Sequence, residues 1–184
     1  MTEPRIQYAK TSDGVRIAFW TMGEGTPLVY MPPMLMSHTR MELQRPAVRS
    51  FYDRLSQHRK LVRYDCRAAG LSDRSVSDYS VEGLLLELEA VVDRLGLESF
   101  NLFAPARSVL VAVPYTVRHP ERVSRLILWN PSSARQSLNP LTTRNQALSN
   151  LRDQDFELYA QLSSLLRYGW SQPEEGRWAA ELTR

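Results

Sequence analysis

The sequence has one cysteine, three histidines and, among its basic residues, only two lysines. Each scarcity excludes something. Cys66 alone cannot close an intrachain disulfide or build a cysteine metal cluster, so no metal is expected, and a lone thiol suits a reducing cytoplasm. Lys10 and Lys60 stand against twenty-one arginines, which are dispersed among acidic residues; the formal net charge is only +3, and no block of like charge forms. That pattern lacks the clustered basic, aromatic-interleaved patch of a nucleic-acid surface. No segment approaches the roughly 18 apolar residues of a membrane-spanning helix. The opening "MTEPRIQYAK" has no apolar core of a signal peptide. The expectation is a cytoplasmic protein with neither nucleic-acid nor membrane partners.

What is present is an alternation. Residues 6–9 and 15–21 read as two strands joined by "TSDG", whose Asp-Gly is a hairpin turn signal. "LVYM" (28–31), "KLVRYD" (60–65), "FNLFA" (100–104) and "SRLILWN" (124–130) are apolar runs of the kind buried on both faces of a parallel sheet. Helices fall between them. Pro46 suits a first helical position, followed by Val48, Phe51, Tyr52 and Leu55 at helical spacing. Ser80 is a natural N-cap for a helix to Leu95, with Val81, Leu84, Leu85, Leu88, Val91, Val92 and Leu95 on one face and Gly96 as a left-handed stop. A third helix is expected over 107–118. Strand and helix in alternation specify an α/β fold with a mostly parallel sheet flanked by helices. Residues 135–184 have no strand candidate and read as amphipathic helices, so the expected organisation is a core over 1–134 and a helical segment over 135–184.

"RYDCRAAGLSDR", residues 63–74, resembles the Y-D-x-R-G-x-G-x-S-D segment that follows the fourth strand of α/β-hydrolase fold proteins. "LGLESFNLF" and "RHPERVSRLIL" resemble that fold's nucleophile strand and its sixth strand, and "IQYAKTSDGVRIAFWTMGEGTPLVYMPP" resembles its opening hairpin and third strand. More narrowly, "TSDGVRIAFWTMGEG" and "LRYGWSQ" are similar to hydrolase-like domains attached to bacterial adenylate/guanylate cyclases and LuxR-type regulators. The resemblance implies an α/β-hydrolase fold that stops after the sixth strand and part of a helical lid, and it raises a fused cyclase or regulatory domain as a partner.

It also implies a mechanism that these residues depart from. The family's nucleophile stands in G-x-S-x-G on a strained strand-to-helix turn, with an oxyanion hole beside it and the acid and histidine later in the chain. Counted back from "RHPERV", that motif falls on Ala104-Pro105-Ala106-Arg107-Ser108. Ala106 occupies the nucleophile position, and a methyl group cannot attack a carbonyl or an epoxide. Ala104 and Ser108 replace the two glycines, and Pro114 interrupts the following helix, at a cost of roughly 3 kcal/mol unless the helix bends. Met34 and Arg107 are the oxyanion-hole-like positions. His38, His58 and His119 all precede the end of the sixth strand, so the family's histidine has no counterpart. His119 and His58 read as helix-exit residues, and Asp65 and Asp73 as hydrogen-bonding groups of the "RYDCRAAGLSDR" loop. Ser108 as a displaced nucleophile would be turned about 200° from the elbow direction, and Cys66 beside a buried strand reads as an inert small hydrophobe.

Three readings follow. The first is a catalytically degenerate hydrolase-like module that binds a small apolar ligand or a partner without a cofactor; its pocket lining would be Pro33, Met34, His38, Ala106, Arg107, Trp129 and Asn130. The second, compatible with the first, is a fragment of a larger protein whose truncated sheet exposes an apolar edge. The third is an active hydrolase of esters or epoxides with an atypical or externally completed site.

Overall fold

The computed structural model describes residues 3–33, 37–131, 143–168 and 173–183. The chain divides into two compact units, Met1–Ser133 and Ala134–Arg184.

In the first unit, Asp13-Gly14 turns the chain between β1 (Gln7–Lys10) and β2 (Arg16–Met22). Thr11 Oγ1 accepts from the Val15 amide at 2.8 Å, and Gly14 adopts φ +93°, where a side chain would be strained. Then follow β3 (Thr26–Tyr30), a short helix α1 (Thr39–Leu43), α2 (Pro46–Leu55) and β4 (Arg59–Tyr64). The unit continues with α3 (Val81–Arg94), β5 (Phe100–Pro105), α4 (Val109–Arg118) and β6 (Val123–Trp129). The six strands form one sheet in the order β1-β2-β4-β3-β5-β6. The β1-β2-β4 pairings are antiparallel, and β4, β3, β5 and β6 run parallel.

Each sheet face has its own core. Leu85, Leu88 and Val92 of α3 and Val111 and Tyr115 of α4 pack on Phe19, Val62, Phe100 and Leu102. On the opposite face, Tyr52 of α2 packs with Trp20, Leu61 and Phe103. Burying a side chain of this size stabilises the fold by about 1.5–3 kcal/mol. Helix α3 starts as its sequence indicates: the Ser80 hydroxyl accepts from the Gly83 amide at 3.1 Å, and Gly96 takes φ +61° at the exit.

Three expectations need correction. "SRLILWN" is not buried on both faces. Strand β6 is the outermost strand among the described residues, and Ile127, Leu128 and Trp129 are exposed. The helix expected over 107–118 is a 3-10 turn, Ala106–Ser108, followed by α4. Pro114 lies inside α4, where it has no amide to donate to the Leu110 carbonyl. Finally, α1 lies in a stretch the sequence left without an element.

The second unit contains α5 (Thr143–Gln154), α6 (Phe156–Tyr168) and α7 (Pro173–Thr183). No described helix is long and apolar enough to cross a membrane.

Candidate functional site

The turn after β5 has an unusual backbone for its residues. Strand β5 is buried along its whole length and ends at Pro105, after which Ala106 takes φ +50°. Left-handed backbone costs an L-residue roughly 1–2 kcal/mol, and it persists only where the surroundings over-determine it. Two contacts do so here. The fully buried Ser108 hydroxyl donates to the Pro32 carbonyl, in the loop after β3. The Met31 amide donates to the Phe103 carbonyl at 2.9 Å. The loop after β3 and the turn after β5 are thus fastened together, with the Ala106 methyl at the apex and Arg107 exposed beside it.

The same hydrogen bond decides the role of Ser108. A hydroxyl buried in the fold and committed to a main-chain carbonyl is a fastener rather than a free nucleophile.

The remaining sequence candidates fall in different places. Pro33 is half-buried in the loop that Ser108 fastens, and Met34 lies outside the described residues. Trp129 stands opposite Pro105 in the register of β5 and β6, with its ring edge-on to Phe103 at 6.0 Å. Asn130 follows with φ +47°. The structure therefore brings Ala106, Pro33 and Trp129 to the carboxyl ends of adjacent strands. That is where open α/β sheets bind ligands.

The three histidines stand at or near helix ends. His38 caps α1, its Nδ1 accepting from the Met41 amide at 3.3 Å. His58 is exposed between α2 and β4. His119 caps the far end of α4, with its ring 4.8 Å from that of Tyr115 and Nε2 3.5 Å from Glu89. No group of three or more His, Cys, Asp or Glu residues suited to a metal occurs among the described residues.

Two buried ionic clusters under this end of the sheet escaped the sequence reading. In one, Arg63 of β4 donates to Glu42 of α1 through Nη2 at 2.6 Å and Nε at 2.9 Å; the Tyr52 hydroxyl also bonds Glu42, and the Tyr30 ring lies 5.2 Å from the guanidinium. "TRME" has the S/T-x-x-E spacing of a helix start, which was the available signal. In the other, Glu87 of α3 accepts from the Arg67 amide and Nε, both at 2.9 Å, while Arg67 Nη1 reaches Asp13 at 2.9 Å. Burial outweighs Arg67 and raises the Glu87 carboxyl to about 7. Its signal was a carboxylate in line with Gly83 and Val91 on the apolar face of α3.

Asp65 and Asp73 do organise the "RYDCRAAGLSDR" loop. Asp65 accepts from the Thr39 amide at 2.8 Å and the Leu71 amide at 2.9 Å, and Asp73 holds the Arg16 amide at 2.9 Å. A Cβ at Gly70 would come within 2.3 Å of the Asp65 carboxylate, so only glycine fits there. Each unit has a cavity of its own among the described residues. One of about 350 Å³ in the second unit is lined by Gln161, Leu165, Gly176 and Ala180, and one of about 500 Å³ lies between Lys10–Ser12 and α3.

No family model matches the chain. A curated relative, the AB hydrolase superfamily protein YisY of Bacillus subtilis, is 25% identical over 150 residues, covering 78% of this chain and 53% of that protein. This chain thus spans about half the length of that relative. Among solved structures, a hydrolase from Pseudomonas aeruginosa PA01 superposes with a TM-score of 0.74 at 21% identity, covering 99% of this chain and 68% of the other. An esterase from Exiguobacterium antarcticum gives 0.74 at 19% identity, covering 96% and 67%. Est816, described as an N-acyl homoserine lactone degrading enzyme, gives 0.72 at 19% identity, covering 96% and 64%. The chain has the α/β-hydrolase fold, a mostly parallel six-stranded sheet flanked by helices, and in sequence it is similar to a protein of the AB hydrolase superfamily.

Proposed function

We propose that this chain is a catalytically silent α/β-hydrolase-like module that binds a small apolar ligand, with a regulatory rather than a hydrolytic role. The observation that carries this reading is Ala106 at φ +50°. The strained turn that exposes a nucleophile in the family is kept, yet its apex carries only a methyl group. Ser108, the nearest hydroxyl in sequence, is committed to Pro32. Trp129, Pro33 and Ala106 offer an apolar lining at the carboxyl ends of the strands, and Met34, Arg107, His38 and Asn130 complete the proposed set. Residues 135–184 correspond in sequence order to the helical lid that the resemblance implies, and a cyclase or regulator fused in the full-length protein is the partner the resemblance suggests. The lone thiol of Cys66 favours the cytoplasm as its compartment.

Ester hydrolysis, the activity in the names of some solved neighbours, is the competing reading, and one experiment separates the two. The purified chain is assayed with p-nitrophenyl acetate and butyrate beside its Ser108→Ala variant, and ligand binding is followed by Trp fluorescence. The expected result is no turnover above the buffer rate in either protein, with saturable quenching by a short apolar ligand that Trp129→Phe removes. Turnover that Ser108→Ala abolishes would sink the proposal.

A further inference from the structure

Glu87 lies on the buried side of α3 with its side chain 2% exposed, and the groups around it are short of positive charge. Arg67, fully buried, supplies a guanidinium: its Nε and its main-chain amide both donate to Glu87 Oε1 at 2.9 Å. The same guanidinium donates through Nη1 to Asp13 of the β1–β2 turn at 2.9 Å and to the Asp78 carbonyl at 3.1 Å. It fits against α3 because position 83 is glycine, where a Cβ would come within 2.9 Å of Nη1. Nη2 is buried without a hydrogen-bond partner among the described residues.

One cation thus serves two carboxylates, Asp13 and Glu87, with the Asp78 carboxylate also beside Gly83. Asp13 and Asp78 keep their charge. A hydrogen bond from the Thr11 hydroxyl, helped by Arg67, holds Asp13 below the usual carboxylate range, and the Ser80 amide does the same for Asp78. Asp13 is moreover 33% exposed to water. Two neutral groups complete the surroundings of Glu87. The Cys66 thiol is in hydrogen-bond reach of it, and burial, then Cys66 and Glu87, pushes the Tyr64 hydroxyl up so that it stays protonated. A charge in a dry site is costly unless fully paired, so Glu87 is where this cluster takes up a proton. Burial raises its carboxyl to about 7. Oε1 carries both Arg67 bonds, which leaves Oε2 to hold the proton.

The cluster is tied to more than α3. Three successive residues after β4 each fasten a different element. Asp65 accepts from the Thr39 amide at 2.8 Å, the Cys66 amide donates to the buried Ser37 hydroxyl at 3.0 Å, and the Arg67 amide donates to Glu87. Ser37 immediately precedes His38, the cap of α1. Movement at the Arg67–Glu87 contact therefore reaches Ser37 through a single peptide unit.

We infer that Glu87 is a proton-controlled latch: with its proton bound, the Cys66–Arg67 segment is shut against α3, and loss of the proton favours a local opening that brings Glu87 and Arg67 to water and releases the hold of Cys66 on Ser37. The direction follows from linkage. A closed state that binds a proton more tightly than the open one is favoured while the proton is present. Opening becomes easier as pH rises, until the closed state has lost it. Water in the open state also satisfies Nη2, which the closed state leaves without an acceptor. That His38 borders a ligand site rests on the function proposed above; the latch does not, and it is tested on amides rather than on ligand binding.

The test is amide hydrogen exchange of the full chain, followed residue by residue by NMR between about pH 5 and 8 and expressed as protection relative to the unstructured rate. Protection at the Arg67 and Cys66 amides is expected to lie below that of the central strands β4 and β5. It should fall about tenfold for each pH unit up to about 7 and then level off. In Glu87→Gln, with folding checked by circular dichroism, the fall should vanish at both amides. The carbon-13 shift of the Glu87 carboxyl in the wild-type chain should titrate at the pH where the fall levels off, a readout that needs no variant. Arg67 and Cys66 amides that exchange only together with the central strands, protection that does not change with pH, the same slope in folded Glu87→Gln, or a Glu87 carboxyl that titrates near 4.5 would each overturn the inference.

Discussion

Arg63 and Glu42 form a two-pronged ion pair in which both side chains are buried, joining β4 to α1 across the loop that begins after β3. Removing one member leaves an unpaired charge out of water, which typically costs about 3–5 kcal/mol. Glu42→Ala should therefore lower the unfolding free energy by about that much, as read by urea titration. The double variant Glu42→Leu/Arg63→Met should recover most of the loss, because no charge is left to desolvate. Equal destabilisation in the single and double variants would show that the pair acts through shape alone.

Ala106 reverses the usual sign of an alanine-to-glycine change. In a helix or strand that substitution destabilises, by roughly 0.5–1 kcal/mol. At φ +50° the alanine already carries about 1–2 kcal/mol of left-handed strain that glycine would not feel. Ala106→Gly should thus be neutral or stabilising by up to about 1 kcal/mol in thermal or urea unfolding. A loss of more than that would mean the methyl group contributes packing that outweighs its strain.

What the sequence disclosed follows from how each element is stabilised. β3, β4 and β5 are covered on both faces, so their apolar runs announce them, and α3 carries its start and stop signals in Ser80 and Gly96. Helix α1 spans only five residues, too few for a periodicity, and it is held by Asp65 and Arg63, which lie more than twenty residues away. Position 106 was located by counting from a downstream motif, but nothing in Ala-Pro-Ala-Arg-Ser specifies a positive φ. That conformation depends on Ser108 meeting Pro32, 76 residues earlier. β6 misled for the opposite reason: its composition suits a central strand, while among the described residues it is the last strand of its side of the sheet.

Ser108→Ala tests the fastening directly. It leaves the Pro32 carbonyl without its side-chain donor in a buried setting, a loss of about 1–3 kcal/mol. Unfolding should register that cost. Ala106→Ser should fold and gain no esterase activity on p-nitrophenyl acetate, since His38 Nδ1 is committed to the Met41 amide, His119 caps the far end of α4 beside Glu89, and His58 is exposed between α2 and β4. Robust turnover in Ala106→Ser would show that a base reaches the apex from elsewhere.

Glu87 should leave a signature in the pH dependence of stability. Its carboxyl titrates near 4.5 in an unfolded chain and is raised to about 7 in the fold, with burial the leading cause and Arg67 opposing it. Between those values the folded chain binds more protons than the unfolded one, so Glu87 makes stability fall as pH rises through that window and stay level above it. The drop is a few kcal/mol in order of magnitude, about 1.4 kcal/mol for each unit of displacement. Buried Asp65, also raised, acts in the same direction, while Asp13, Asp73, Asp78 and Glu82 are lowered and act below that window, where stability is lost as pH falls. Glu87→Gln cannot titrate. Whatever constant offset follows from weakening its bond to Arg67, the slope of unfolding free energy against pH between about 4.5 and 7 should shrink. An unchanged slope in Glu87→Gln would mean that Arg67 keeps Glu87 ionised throughout, and that the pair is a permanent ionic tie between α3 and the loop after β4.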